Sequence, residues 1–406
     1  MRPLCTQWTF SNVSFRDTLY AFEMARLRQR MKRSYAVAFQ KDALARLPKE
    51  CEGLITDYLS VTDLARGLAL TSKRMRDLAY EEKNWSSLRI IGMRNQQAQR
   101  LLYLHGRKMQ SLALYGMRIS RAVCRLFKTC TRLESLDLTG IWKSTAIDCR
   151  FVSSIAKLPL KRLLFGHNEV RDEGFHMLCK LVPSLEELDF NSSIVSARAL
   201  YNICMLKNLR SVCLRSCANV NEDVLRSICR LEKLDTLQLS FLPMLHCNSL
   251  RHLFSKEYGM VVGRLKTLVL NGMYVDRDCM RKISSLRKLK VLSLCHPTIK
   301  SKHLEEMKLP YLELLTVFCA SEIENFQFLR NLPALQQLCL YRCAFSKRSL
   351  MHWARRRPNL SVRLFGPRPL SVAGIPSDDD EEIDYRLHKN ITRLQLIRRP
   401  YPMHFS

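Results

Sequence analysis

Two pairs of cysteines have the spacing from which chemistry is most readily built: Cys213 with Cys217, and Cys339 with Cys343, each four residues apart. Thiolates that close can share one metal ion, but a structural zinc site needs four ligands. The chain has no C-x-x-C pair and no His pair at a matching distance. Its histidines, among them His167, His176, His246, His252 and His303, are scattered, and His296 before Pro297 reads as a turn residue. There is no G-x-S-x-G, no H-E-x-x-H, no glycine-rich phosphate loop and no deaminase zinc pattern. The sequence therefore predicts no catalytic residue, no metal and no cofactor, and a protein that binds rather than converts.

The cysteines have another address. Cys213 and Cys217 sit inside the phrase Leu209-Arg-Ser-Val212-Cys-Leu214-Arg-Ser-Cys217, apolar at its first, fourth and sixth places. Clean copies start at Leu133, Leu160, Leu185, Leu209, Leu234, Leu265, Leu289, Leu312 and Leu335, with steps of 27, 25, 24, 25, 31, 24, 23 and 23 residues. Weaker copies start at Trp85, Met109 and Leu360. Leucine-rich repeats have this phrase and a period of roughly 20–29 residues. On a strand, the fourth and sixth places face one side. The ninth needs a small residue that can bond to backbone in a turn. Asn168, Cys217 and Cys343 fill it, whereas Leu242, Met273 and Pro297 do not, which predicts irregular turns there. Apolar spacing of three and four after the turn is helical, with Asp172, Asn221 and Asp276 placed to cap the helices. One strand and one helix cannot bury their own apolar face, so the units must stack. The fold class is an α/β leucine-rich-repeat solenoid over residues 87–366, with strands on the concave face and helices on the convex face. The 16 cysteines then read as small buried thiols in a reducing compartment, cytoplasmic or nuclear, because Met1 to Phe10 lacks the apolar core of a secretory signal.

Residues 47–86 are organised differently. Pro48 suits a first helical turn. Leu54, Ile55, Tyr58 and Leu59 form one apolar stripe; Leu64, Leu68 and Leu70 form another. Thr62 or Asp63 is expected to cap a second helix, and Thr71 or Ser72 a third. Forty residues bury little core alone, so this unit either docks on a partner or caps the first repeat. Leu47-Pro48-x-Glu50, the run Leu54-Ile55-x-x-Tyr58-Leu59, Asp63-Leu64, Ser72-Lys73-Arg74 and the closing Trp85 resemble the F-box motif. An F-box followed by cysteine-type leucine-rich repeats resembles the F-box/leucine-rich-repeat family. That resemblance implies a substrate-receptor subunit of a cullin-RING (SCF-type) ubiquitin ligase, acting in ubiquitin-dependent protein catabolism. Leu47, Pro48, Leu54, Ile55, Tyr58, Leu59, Leu64 and Leu68 would hold a Skp-type adaptor and, through it, a cullin scaffold.

A client would meet the concave face, where side chains alternate with the inward leucines. The candidates are Asp137, Asp189, Asn191, Arg215, Gln238, Asn271, Phe318 and Tyr341, the last two expected side by side as an aromatic anchor pair. Lys and Arg number 66 against 37 Asp and Glu, a net +29. Such a charge attracts acidic partners, and it also fits a solvated basic exterior. The alternative reading is a repeat scaffold that binds nucleic acid or a ribonucleoprotein through that surface without a ligase role. No apolar run approaches the roughly 18 residues of a membrane span. Residues 1–46 form a basic leader, dense in cations from Met24 to Arg33. The long 31-residue step predicts a protruding loop near Ser255 to Gly263. The tail 367–406 carries an acidic block, Asp378 to Glu382, and a closing strand expected at Ile391 to Leu396.

Overall fold

The computed structural model describes residues 51, 54–56, 58–59, 61–139, 141, 147–254, 263–365 and 382–385. The leader, Leu47, Pro48, most of the protruding segment, the start of the acidic block and the strand expected at 391–396 lie outside them. The chain divides into two compact units, Met1–Asn84 and Trp85–Ser406.

In the first unit, residues 54–56 are helical and a helix follows at Val61–Arg66, then a 3-10 turn at Leu68–Leu70 and a helix at Lys73–Ala79. Ser72 caps that last helix, its hydroxyl accepting from the Met75 amide at 3.1 Å. Neither Thr62 nor Asp63 is a cap: the helix already begins at Val61, and Asp63 places its charge in the first turn, where the helix dipole favours an acid. Leu64, Ala69 and Ala79 make a small core, with Leu59 and Leu68 packed on it.

The second unit is built on one parallel sheet. Its strands are β1 (Ser87–Ile91), β2 (Ser111–Tyr115), β3 (Ser135–Asp137), β4 (Arg162–Leu164), β6 (Glu187–Asp189), β8 (Ser211–Arg215), β9 (Thr236–Ser240), β10 (Thr267–Asn271), β11 (Val291–Cys295), β12 (Leu314–Phe318), β13 (Gln337–Tyr341) and β14 (Ser361–Phe365). These twelve neighbour one another in chain order, one per repeat. A thirteenth, β15 (Glu382–Tyr385), joins β14 antiparallel. The short β5 (Glu169–Val170) and β7 (Ile194–Val195) pair separately. The fourth and sixth positions fall in register across the sheet: Leu214 lies beside Leu239, which lies beside Leu270. Every inward residue at those positions from Leu136 to Leu340 is at most 1% exposed. Each shields its neighbour from water, and that shared burial drives the stacking.

Helices or 3-10 turns return the chain to the next strand. Asn221 and Asp276 cap two of them, accepting from Val224 N at 3.1 Å and Cys279 N at 2.7 Å. Asp172 differs from expectation: the helix Asp172–Leu181 begins on it, and its carboxylate instead accepts from the Ser196 hydroxyl at 2.7 Å. At the ninth place, Asn168 donates its amide to the Leu138 and Gly166 carbonyls, each at 2.9 Å. Cys217 and Cys343 bond there to Phe190 O and Val317 O at 3.0 and 3.2 Å.

Among the described residues the eighth place is left-handed in nine copies, with φ between 50° and 74°, and in three of those nine, at Gly92, Gly116 and Gly272, it holds the residue that favours it. This corrects the turns at Leu242 and Met273. Phe241 and Gly272 adopt the same conformation as the regular copies, and Leu242 and Met273 are buried in the slot. The turn at Pro297 does depart: His296 is not among the left-handed residues, because a following proline confines it to extended backbone.

The last copy is also corrected. Leu360 is buried, but the strand begins directly after it at Ser361, one residue sooner than in the other copies. Val362 and Leu364 therefore point inward, and Arg363 and Phe365 take the opposite face.

A ladder of ion pairs joins neighbouring repeats at the second place of the phrase: Glu134 with Lys161 at 2.9 Å, Glu186 with Arg210, Asp235 with Lys266, and Lys290 with Glu313 at 2.7 Å. Water reaches all four, so their role is to match repeat to repeat rather than to stabilise strongly. At the start of the stack Trp85 is wholly buried and lies flat on His105, ring centres 3.5 Å apart. Burial, helped by nearby Lys108, drops the imidazole to about 4.

Candidate protein-docking surfaces

The first unit exposes apolar groups that a folded chain normally hides. Leu54 is 59% exposed, Ile55 38% and Tyr58 88%. Leu54 and Ile55 are helical and Tyr58 follows in a turn. Of the other residues expected to touch a partner, Leu64 is buried in the unit's own core, and Leu59 and Leu68 are partly buried against it. The stripe Leu64, Leu68, Leu70 splits, since Leu70 is exposed. The reason is the tight 3-10 turn at Leu68–Leu70, whose three-residue period puts neighbours two apart on different sides.

On the second unit, the candidates occupy the sheet face turned away from the helices. All are half-buried. Asp137 accepts from the Tyr115 hydroxyl and from Thr139 N, and the Arg89 guanidinium lies over the Tyr115 ring at 4.7 Å. Burial first, then the bond to Asp137, pushes the Tyr115 phenol up to about 12. Asp189 accepts from Asn191 N at 2.7 Å, and burial raises its carboxyl above the usual range, with the Asp137 charge adding to the rise. Arg215 lies over Phe241, Asn271 accepts from the Ser293 hydroxyl at 3.1 Å, and Gln238 stands between their strands.

At the far end Phe318 and Tyr341 stack, centres 4.5 Å apart and planes 19° from parallel. Phe365 continues the stack on Tyr341 at 4.0 Å and 1°. Three aromatic faces therefore line up in register at the outward seventh place of β12 and β13 and its equivalent in β14. The sequence phrase hid Phe365 because counting from Leu360 turned it inward. The acids and the aromatics do not form one site. Five strand steps separate β6 from β12, about 24 Å at the usual strand spacing. Among the described residues no group of His, Cys, Asp and Glu could hold a metal, and no helix is long and apolar enough to cross a membrane.

Known proteins supply two further findings. Residues 44–91 match the F-box-like family. In fold, the chain is similar to a chain of the yeast Rad7 and Elc1 complex, with 14% identity, a TM-score of 0.52, and coverage of 87% of this chain and 98% of that one. It is also similar to an internalin, inlF, of Listeria monocytogenes, with 15% identity over 76% of this chain and 88% of that one, TM-score 0.42. No curated protein sequence gives a significant match.

Proposed function

We propose that this chain, an F-box-like segment followed by a leucine-rich-repeat stack, is the substrate-recognition subunit of an SCF-type ubiquitin ligase. The observation that carries the reading is the exposed Leu54, Ile55 and Tyr58 within the segment that matches the F-box-like family. A unit with so small a core gains most by covering such groups with a partner's apolar surface. A Skp-type adaptor is that partner, with Leu47 and Pro48 as the other contributors from the motif, and a cullin follows through the adaptor. The outer sheet face is the client's side. There the Phe318–Tyr341–Phe365 stack offers a rigid, half-dry platform for an apolar or aromatic side chain, and Asp137 and Asp189 offer a separate acidic patch. The role is recognition, not catalysis.

The test is capture of the purified Skp-type adaptor by the full chain and by a Leu54→Asp, Tyr58→Asp variant. Losing two central apolar anchors should weaken capture ~100-fold, while circular dichroism stays unchanged. A parallel arm uses Elc1, the companion in the yeast complex. Equal capture of the Skp-type adaptor by variant and wild type would overturn the reading.

A further inference from the structure

The strands are in register, so the residues that precede them lie along one edge of the sheet. In the five residues before each phrase start from Met109 to Leu360 there are 17 Lys or Arg and a single acid, Glu232. At the chain's overall share of 37 acids in 406 residues, about five would be expected there. Each of the eleven turns contributes at least one cation, and 15 of the 17 are exposed. A cation in the last turn of a helix is ordinary, because it meets the negative end of the helix dipole. That accounts for Lys180, Arg355 and Arg356, and for Arg107, Lys108 and Arg330 at the ends of 3-10 turns. It does not account for Arg132, Lys157, Arg264 or Lys308, which lie in turns beyond the helices. The edge is least opposed at its start: from Ser87 to Leu133 there are ten Lys or Arg and no acid.

We infer that this rim is a track for the phosphate backbone of a nucleic acid. The match is one of dimension. Strands lie about 4.8 Å apart, so 17 cations over eleven repeats come to about one per 3 Å of edge. A strand of duplex carries one phosphate per about 3.4 Å of axis. Few other partners present charge as a continuous line. The chain's own acidic block, Asp378 to Glu382, has five charges and is too short to cover the row. Contacts of this kind read charge and not base sequence, and they leave the outer sheet face open for a client. The track is independent of the F-box-like segment.

The experiment is fluorescence anisotropy of the full chain with a labelled mixed-sequence 30-mer, single-stranded and duplex, between 50 and 200 mM salt. The wild type should bind both and weaken steeply with salt. A rim variant, Arg107→Glu, Lys128→Glu, Lys157→Glu and Lys207→Glu, should lose at least tenfold in affinity. Its log–log salt slope on duplex should fall by up to about 3.6, at about 0.9 per phosphate contact. A control with the same charge change at the helix starts, Arg118→Glu, Arg198→Glu, Lys302→Glu and Lys347→Glu, should change affinity less than threefold. The Leu54→Asp, Tyr58→Asp variant should bind nucleic acid like the wild type. Equal losses in rim and control variants would overturn the inference, as would a wild-type salt slope below about 2. So would rim-dependent binding of poly-glutamate or phosphatidylserine vesicles that exceeds binding of nucleic acid.

Discussion

Lowering the pH should loosen the start of the repeat stack through a single ring. His105 is 7% exposed and stacked on the wholly buried Trp85, and burial holds its pKa at about 4 against 6.5 for a free imidazole. The folded protein therefore keeps this ring neutral where the unfolded chain protonates it. A depressed histidine contributes stability that is complete above 6.5, declines as the pH falls from 6.5 towards 4, and is gone below 4. At about 1.36 kcal/mol per pH unit, the gap between those two values is worth about 3 kcal/mol. His105→Phe keeps an aromatic face on Trp85 and removes the titration. Urea unfolding followed by circular dichroism at pH 7.5, 6.5, 5.5 and 4.5 measures the difference between wild type and variant at each pH, and acids common to both chains cancel. The variant should gain on the wild type steadily below pH 6.5, by about 2 to 3 kcal/mol at pH 4.5. A difference that stays flat over that range, or a wild type that gains on acidification, would refute the reasoning.

Two further outcomes follow from the turn slot. Asn168→Leu strips partners from buried carbonyls, including Leu138 O. It should cost about 3 kcal/mol in urea unfolding, with Asn168→Cys recovering part of the loss, since Cys217 fills the equivalent slot through its thiol. Burial pushes the Cys217 and Cys343 thiols up to about 12. Iodoacetamide at neutral pH should therefore modify the exposed Cys149 and Cys319 and spare those two until the chain unfolds, which mass spectrometry of the labelled peptides would check.

Much of the fold was legible because burial on a strand has a strict period of two. Leu136 with Leu138 and Leu292 with Leu294 had to point the same way, and a repeat that leaves its own face uncovered had to stack. One departure from the phrase is a shift of a single residue. The shortened step at Leu360 exchanged inside for outside across β14 and concealed both Phe365 and Arg363. The left-handed eighth place was equally hidden, because His167, Ser192 and Arg342 take it against their own preference. Only Gly92, Gly116, Gly140 and Gly272 mark it in the sequence. In the first unit, the hydrophobic spacing marked the right stretch but not its sides. Leu59, Leu64 and Leu68 face the core while Leu54, Ile55 and Tyr58 face water. A 3-10 turn separates exposed Leu70 from Leu68, and helical periodicity alone does not foresee that split. The Tyr115–Asp137 bond and the basic rim are relations between repeats, visible only once the register is known.

The antiparallel β15 has an architectural consequence. A parallel array can lengthen indefinitely at an open edge, because every strand presents the donors and acceptors that the next one needs. A strand of reversed direction breaks that template, since its bonding pattern is perpendicular and paired rather than slanted and even. It also covers an edge that would otherwise invite other chains to add on.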